Sequence, residues 1–149
     1  MDMKMLAEKY NFGESSTTPL NTVFTAQSKV YYYCKNAVCE FVFNQNKLPI
    51  NPFKVFDYFL NDRVDRDLIR RANNQLINIC DELWVFGDIA NCVMFEILTA
   101  KNFNKPIKYF TIATRSAGIT EVNINEMIFE SEMGLSEKQI NEFIALVTN

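Results

Sequence analysis

One glutamate, Glu96, lies inside an otherwise apolar segment, NCVMFEILTA, that follows an apolar run ending at Gly87. A carboxylate in such a place can attack an electrophilic carbon, such as the anomeric carbon of a sugar, and form a covalent glycosyl intermediate. The dipole of the helix predicted here favours the ionised carboxylate by roughly 0.3 to 1 kcal/mol. A Glu early in a helix is, however, usually a solvated surface residue. Position alone therefore leaves two interpretations open for Glu96.

Other catalytic chemistry is limited by composition, because the 149 residues include no histidine and only four glycines. Without histidine, the Ser-His-Asp and Cys-His arrangements and the mixed zinc site are excluded. The glycines form neither a G-x-G-x-x-G nor a Walker A loop, so we predict no cofactor. The four cysteines lack C-x-x-C spacing and lie in apolar or aromatic surroundings, which predicts buried reduced thiols and no metal site. They are Cys34, Cys39, Cys80 and Cys92.

Charge and hydropathy indicate one globular domain without a nucleic-acid or membrane partner. The formal net charge is -3, and Arg70 and Arg71 are the only adjacent pair among 15 basic residues. No basic stripe is therefore available to follow a phosphate backbone. No apolar run approaches the ~18 residues of a membrane span, and the N-terminus lacks a signal peptide's apolar centre. We predict a cytoplasmic protein.

The elements that would position Glu96 alternate between strand and helix. In the first half they are a strand over 29–34 (KVYYYC), a helix over 37–45, an extended piece over 48–53, a helix over 65–80 and a strand over 83–86. The last of these, LWVF, has no polar alternation, which is typical of a strand covered by helices on both faces. The alternation predicts an α/β fold with a mostly parallel sheet and right-handed crossovers.

The second half continues this pattern. We predict a helix over about 92–102 that Asn91 can cap, a strand over 107–112 parallel to 82–86, a strand around 121–128 and a final helix opened by a capping box at 136–139. Residues 1–28 include a cluster of turn formers, NFGESSTTPLNT, without periodicity. We therefore assign 1–28 to an N-terminal extension and 29–149 to the domain.

The stretch PINPFKVFDYFLNDRVDRDLIRRANNQLINICDELWVFG, followed by a helix with a Glu and then by NKPIKYF, resembles the nucleoside 2-deoxyribosyltransferase-like family, in particular its uncharacterised bacterial and phage relatives. The similarity covers roughly residues 29–112 and is most specific in CDELWVFG and in its spacing to Glu96. The resemblance implies a flavodoxin-like fold, and a nucleophilic role for Glu96 at the anomeric carbon of deoxyribose. It also implies that Tyr31 could orient that carboxylate.

Two positions depart from the family's pattern. Transferases of this family carry an acidic residue on the helix before the central strand, where this chain has Asn73, and an amide cannot donate a carboxylic proton. The glycine expected four residues before the Glu is Cys92, whose side chain can narrow a pocket. Asp88 could supply the missing acid, although an Asp after a strand is more often a turn former.

Ligands of open α/β sheets bind at the carboxyl ends of the strands. Polar positions expected there, and predicted to contact substrate, are Asn51, Asn73, Gly87 and Asn91. We expect Glu96 to face a cavity shared with Tyr31, Asp88 and Asn73, with Tyr31 within hydrogen-bond reach of Glu96. Arg66 or Arg70 could approach a phosphate, although a charged helix face is usually only solvated.

These observations predict a protein that binds a small-molecule nucleoside or nucleotide. One interpretation is an N-glycosidic transferase or hydrolase with catalytic residues Glu96, Asp88 and Tyr31. The alternative is a non-catalytic module that senses or sequesters a nucleotide-derived ligand. A purely structural protein follows if aromatic packing closes the pocket. The 13 Phe, 6 Tyr and 1 Trp supply more aromatic surface than a small core needs, and family members commonly share their pocket between subunits, so we expect a homo-oligomer.

Overall fold

A computed structural model describes residues 1–10, 18–56, 60 and 62–149. Most of the predicted turn-rich segment, residues 11–17, lies outside this part of the chain. The described strands are β1 Thr22–Gln27, β2 Leu48–Ile50, β3 Glu82–Phe86, β4 Ile107–Phe110 and β5 Glu121–Val122. The described α-helices are α1 Met3–Lys9, α2 Lys35–Asn44, α3 Pro52–Val55, α4 Arg66–Ile79, α5 Asn91–Asn102 and α6 Glu137–Thr148.

The strands form one sheet in the order β2-β1-β3-β4-β5. The pairs β1–β2, β1–β3 and β3–β4 are parallel, and β5 alone pairs antiparallel, with β4. This is the 2-1-3-4-5 order of flavodoxin-like folds. The predicted fold class is therefore confirmed, as is the parallel pairing of the strands predicted at 82–86 and 107–112.

The sheet is buried on both faces, as the uninterrupted apolar sequence of β3 predicts. Alternate residues of a strand point to opposite faces. Leu83 and Val85 accordingly join one core cluster, with residues of α4, α5 and α6, whereas Trp84 and Phe86 join a second, with residues of α2. Because β3 is central and its carboxyl end leads into α5, the core fixes where that helix begins.

The prediction of a strand over 29–34 is wrong, because Lys29–Cys34 forms a 3₁₀ helix after β1. Strand propensity is only a preference for a half-buried pleated surface. The position beside the central strand β3 is occupied instead by Thr22–Gln27, in which five of six residues are buried, whereas Val30 and Tyr33 are exposed. The sheet therefore includes part of the segment assigned to the extension, residues 1–28.

The helices predicted over 37–45, 65–80 and about 92–102 are present as α2, α4 and α5, and the predicted capping box of α6 is formed by Ser136 and Gln139. Three details are wrong. The extended piece predicted over 48–53 ends at Ile50, because Asn51 caps helix α3. The N-cap of α5 is Ala90, so Asn91 is the first helical residue and not the cap. The strand predicted over 121–128 is two residues long, because Asn123 opens a 3₁₀ turn with its own capping box. Within the described residues, none of the helices is long and apolar enough to cross a membrane.

The C-terminal segment returns to the loop between β3 and α5. Ile89 forms a parallel bridge with Phe129, in which its N–H donates to the carbonyl of Ile128 at 2.8 Å and its carbonyl accepts from Glu130 N–H at 2.9 Å. These bonds tie the loop after β3 to the chain that precedes α6.

Candidate functional site

Glu96 lies in the second turn of α5, facing α4, and is only 9% exposed. Nδ2 of Asn73 in α4 donates a hydrogen bond of 2.8 Å to its Oε2. In the part of the chain described above, Oε1 has no hydrogen-bond partner. The fold thus orients one carboxylate oxygen and leaves the other available.

Burial raises the pKa of the Glu96 carboxyl from 4.5 to about 7, and the hydrogen bond from Asn73 opposes this shift only in part. Desolvation destabilises the charged form of a carboxyl group. The sequence suggested the opposite bias, from the helix dipole, but 0.3 to 1 kcal/mol corresponds to less than about one pKa unit. Burial therefore decides the charge, and both forms are populated near pH 7.

Two cavities meet at Glu96. The first, which we call the α3 cavity, has a volume of about 230 Å³ and extends toward β1 and α3; its lining includes Gln27, Phe53, Phe56 and Ile69. The second, the α4–α5 cavity, has a volume of about 610 Å³ and lies between those helices; its lining includes Asn74, Asn91, Phe95 and Thr99. Both are lined by Arg70, Asn73, Cys92 and Glu96. The larger cavity has the size of a small-molecule site.

Cys92 is an exposed residue, so its predicted burial is wrong, whereas the other three cysteines are buried. It lies in the first turn of α5, at the solvent-facing start of the helix, and borders both cavities. Burial of the thiol itself, and then the nearby Glu96 carboxylate, raise its pKa to about 11. The thiol is therefore protonated at neutral pH and is a poor nucleophile. The described residues contain no cluster of three or more metal-binding side chains.

Tyr31 does not contact Glu96, and this prediction is wrong. Its hydroxyl donates to Oδ2 of Asp88 at 3.1 Å, and this bond is the largest cause of a raised Tyr31 pKa. The reason is that Tyr31 lies in the 3₁₀ helix after β1 and not at a strand end, so its ring reaches the loop after β3. Neither residue lines the two cavities at Glu96. Nearby, Ser28 donates to Oε1 of Glu130 at 2.6 Å.

Gln27, the last residue of β1, was missed by sequence reasoning because it fell in the assigned extension. It lines the α3 cavity, and its Nε2 donates to the Tyr31 carbonyl at 2.8 Å. Nδ2 of Asn51 donates to Oε1 of Gln27 at 3.0 Å, while Oδ1 of Asn51 caps α3 by accepting from Phe53 N–H. Asn51 therefore supports the cavity wall and does not itself line either cavity at Glu96. A polar residue ending the apolar run TVFTA was the available signal.

The remaining predicted positions differ in placement. Asn91 lines the α4–α5 cavity, and Asn73 lines both cavities. Gly87 lines neither. Its φ is +77°, and a Cβ there would lie 2.6 Å from Cγ2 of Ile112, so glycine is needed for the turn that ends β3. Of the two arginines considered for phosphate, Arg70 reaches the cavities and Arg66 does not.

Among solved structures, a 2-desoxiribosyltransferase from Leishmania mexicana is similar, at 19% sequence identity and a TM-score of 0.48, over 84% of this chain and 97% of that one. No curated protein matches the chain. The model of the domain of unknown function DUF7768 matches residues 23–110, which run from β1 to the end of β4 and include every side chain that lines the two cavities. The chain thus belongs to the DUF7768 family.

Proposed function

We propose that this protein binds a nucleoside or nucleotide beside Glu96 and that the free oxygen of Glu96 cleaves its N-glycosidic bond. One observation carries this proposal: the Glu96 carboxylate is nine-tenths buried, is held through Oε2 by Asn73 with no partner for Oε1 in the described chain, and borders the α3 cavity, which Gln27 lines at the carboxyl end of β1. Ligands of open α/β sheets bind at this end of the strands. A purely structural carboxylate would have both oxygens satisfied.

The reaction proceeds in two displacements. Oε1 of Glu96 forms a bond to C1′ of the sugar while the C1′–N bond breaks, and the base leaves with the electron pair and takes a proton from water. A water molecule or a second base then attacks C1′, its proton passes to solvent, and the ester bond to Glu96 returns its electron pair to the carboxylate. Water gives hydrolysis and a second base gives transfer.

The raised pKa sets the pH dependence of this mechanism. Only the ionised carboxylate is a nucleophile, and its fraction increases as the pH rises through about 7. The rate of bond cleavage therefore increases from pH 6 to pH 8 and levels off above pH 8.

A second candidate function is ligand binding without turnover. Asn73 favours it, because an amide occupies the position from which a carboxylic acid would protonate the departing base. General acid catalysis contributes roughly 10²- to 10⁴-fold, so its loss can leave binding intact while turnover becomes negligible.

We also propose that the protein is a homo-oligomer. Phe95 at the rim of the α4–α5 cavity is 62% exposed, and Leu68 and Ile79 on α4 are 53% and 73% exposed. Apolar surface of this kind is commonly covered by a second subunit. Light scattering over a range of protein concentrations tests it, and a monomer throughout contradicts it.

One experiment separates the two functions. The protein is incubated with ribonucleosides, 2′-deoxynucleosides, their 5′-monophosphates and NAD, products are separated by chromatography, and binding is followed by thermal shift. Under the catalytic proposal, wild type releases free base, Glu96→Gln does not, and Glu142→Gln, a surface change on α6, behaves as wild type. Thermal stabilisation without products supports the binding module. If no compound is cleaved or stabilises the protein, both candidates are wrong.

A further inference from the structure

The two cavities at Glu96 contain one positive charge among their described lining residues, Arg70, and one acidic group, Glu96 itself. The other described lining side chains are neutral. A ligand that reaches both groups would have to present an electrophilic carbon to one and an anionic group to the other. The charge distribution therefore suggests where the two ends of a ligand lie.

Helix α4 sets the distance between these ends. Arg70 and Asn73 are three residues apart and share one face of the helix, with a rise of about 4.5 Å between them. Asn73 holds Oε2 of Glu96 at 2.8 Å. Arg70 thus lies about one helical turn along α4 from the residue that holds the proposed reacting carboxylate, and both line the α4–α5 cavity.

Arg70 is available to a ligand because its present partner is weak. Its Nη1 donates to Oδ1 of Asp67 at 3.0 Å, but the two side chains are 73% and 80% exposed. Exposed ion pairs of this kind contribute little to stability. A phosphate offers three acceptor oxygens and matches the planar guanidinium in a bidentate geometry, so it can replace Asp67.

The start of α5 provides a second, independent group of donors. Its N-cap is Ala90, which makes no side-chain capping bond, and the first-turn residues Asn91 and Cys92 line the α4–α5 cavity with Arg70. First-turn N–H groups and the positive end of the dipole favour an anion. The Cys92 thiol, which receives backbone N–H bonds there, is only a weak acceptor. The Glu96 side chain, which is nine-tenths buried and whose Oε1 has no partner in the described chain, lines the same cavity.

We infer that the ligand is a nucleoside monophosphate, whose phosphate is bound by Arg70 at the α4–α5 cavity while its anomeric carbon faces Glu96. This inference rests on the proposed function and narrows its substrate class from nucleosides in general to their phosphate monoesters.

Isothermal titration calorimetry with four 2′-deoxynucleosides and their 5′-monophosphates tests it. The measured quantity is the ratio of the nucleoside Kd to the monophosphate Kd for each base. For wild type we expect a ratio of at least about 10, since a charge-assisted contact of this kind is usually worth one factor of ten or more. Arg70→Gln should reduce the ratio to about 1. Arg71→Gln is the matched control, because it removes the same charge from the neighbouring position, which does not line either cavity.

The outcomes distinguish this inference from the proposed function. If the protein binds nucleosides and their monophosphates equally, or if Arg70→Gln and Arg71→Gln have the same ratio, the phosphate site is wrong while nucleoside binding stands. If no member of the panel binds, the proposed function and the phosphate site are both overturned.

Discussion

The two acidic side chains that follow β3, Asp88 and Glu96, occupy different environments. Asp88 is half-buried and accepts a hydrogen bond from the Tyr31 hydroxyl at 3.1 Å, outside the two cavities. Glu96 is almost fully buried, has an amide as its partner and borders both cavities. One carboxylate thus joins the loop after β3 to the 3₁₀ helix after β1, whereas the other is held in the core with one oxygen open.

This difference indicates that the ionised carboxylate of Glu96, unlike that of Asp88, destabilises the folded protein. A shift of the Glu96 pKa from 4.5 to about 7 means that its ionised form destabilises the folded state by on the order of 3 kcal/mol. That is a large fraction of the stability of a small domain. A buried carboxylate that costs stability and lacks a second partner is typical of a functional position.

The largest expected effect is on catalysis. If the protein cleaves an N-glycosidic bond, Glu96→Gln should lower the single-turnover rate by at least about 10³-fold, because the amide is not a nucleophile. Asp88→Asn should lower it by less than about 10-fold, because that carboxylate is engaged by Tyr31 and does not line the cavities. A loss of 10²-fold or more in Asp88→Asn would instead support the general acid role suggested by the sequence.

The next effect is on stability and depends on pH. Because the folded-state pKa of Glu96 is raised, its neutral form makes its full contribution to the free energy of unfolding below pH 4.5. That contribution is lost as the pH rises from 4.5 to about 7, and the free energy of unfolding does not depend on Glu96 ionisation above that pH. Glu96→Gln has no such loss. Its free energy of unfolding relative to wild type should therefore increase by on the order of 3 kcal/mol between pH 4.5 and pH 8. Urea unfolding at both pH values measures it.

Glu142→Gln is the control for this experiment, because Glu142 is exposed on α6 and should show no such increase. If the free energies of unfolding of Glu96→Gln and wild type differ by the same amount at pH 4.5 and pH 8, Glu96 is already well solvated in the folded protein.

A smaller effect is expected at the partner of Glu96. Asn73→Asp places a second carboxyl beside Oε2, and two adjacent carboxyls share one proton at neutral pH. The pH at half-maximal rate, or the midpoint of the pH-dependent change in melting temperature, should move upward by about one unit or more. Asn78→Asp makes the same chemical change at an exposed position of α4 and should leave the midpoint unchanged. A midpoint unaffected in Asn73→Asp would argue against the contact between Asn73 and Glu96.

The smallest effect is expected at Tyr31. Tyr31→Phe removes the hydrogen bond to Asp88, and a half-buried bond of this kind contributes about 1 kcal/mol. Urea unfolding at pH 7 should detect that loss, with the turnover rate within about 3-fold of wild type. A rate loss of 10-fold or more would revive the predicted role of Tyr31 in orienting Glu96.

A secondary-structure element could be predicted from the sequence where its hydrophobic pattern and its length both fitted only one type of element. The run LWVF is too short and too apolar for anything but a buried strand, and the helix that carries Glu96 begins after the glycine that ends it. The first strand could not be chosen in this way, because KVYYYC and TVFTAQ have similar strand propensity and only packing decides which of them the sheet buries.

That error determined what was missed at the site. With the first strand placed at 29–34, Gln27 was outside the domain and Tyr31 was at a strand end facing Glu96. Asn73 was located on the correct helix, which was predicted over 65–80, but its hydrogen bond to Glu96 depends on how α4 and α5 pack. The pKa of Glu96 depends on burial, which the sequence does not measure.

The bridge between Ile89 and Phe129 bears on how the site is completed during synthesis. A ribosome releases the chain from the N-terminus, so β3, Asp88 and Glu96 emerge well before residues 128–130, which bond to Ile89. A nascent chain that stops short of Ile128 can contain the whole family domain, residues 23–110, and still lack the backbone bonds that fasten the loop in front of α5. The residues that fasten this loop are thus synthesised some thirty residues after Glu96.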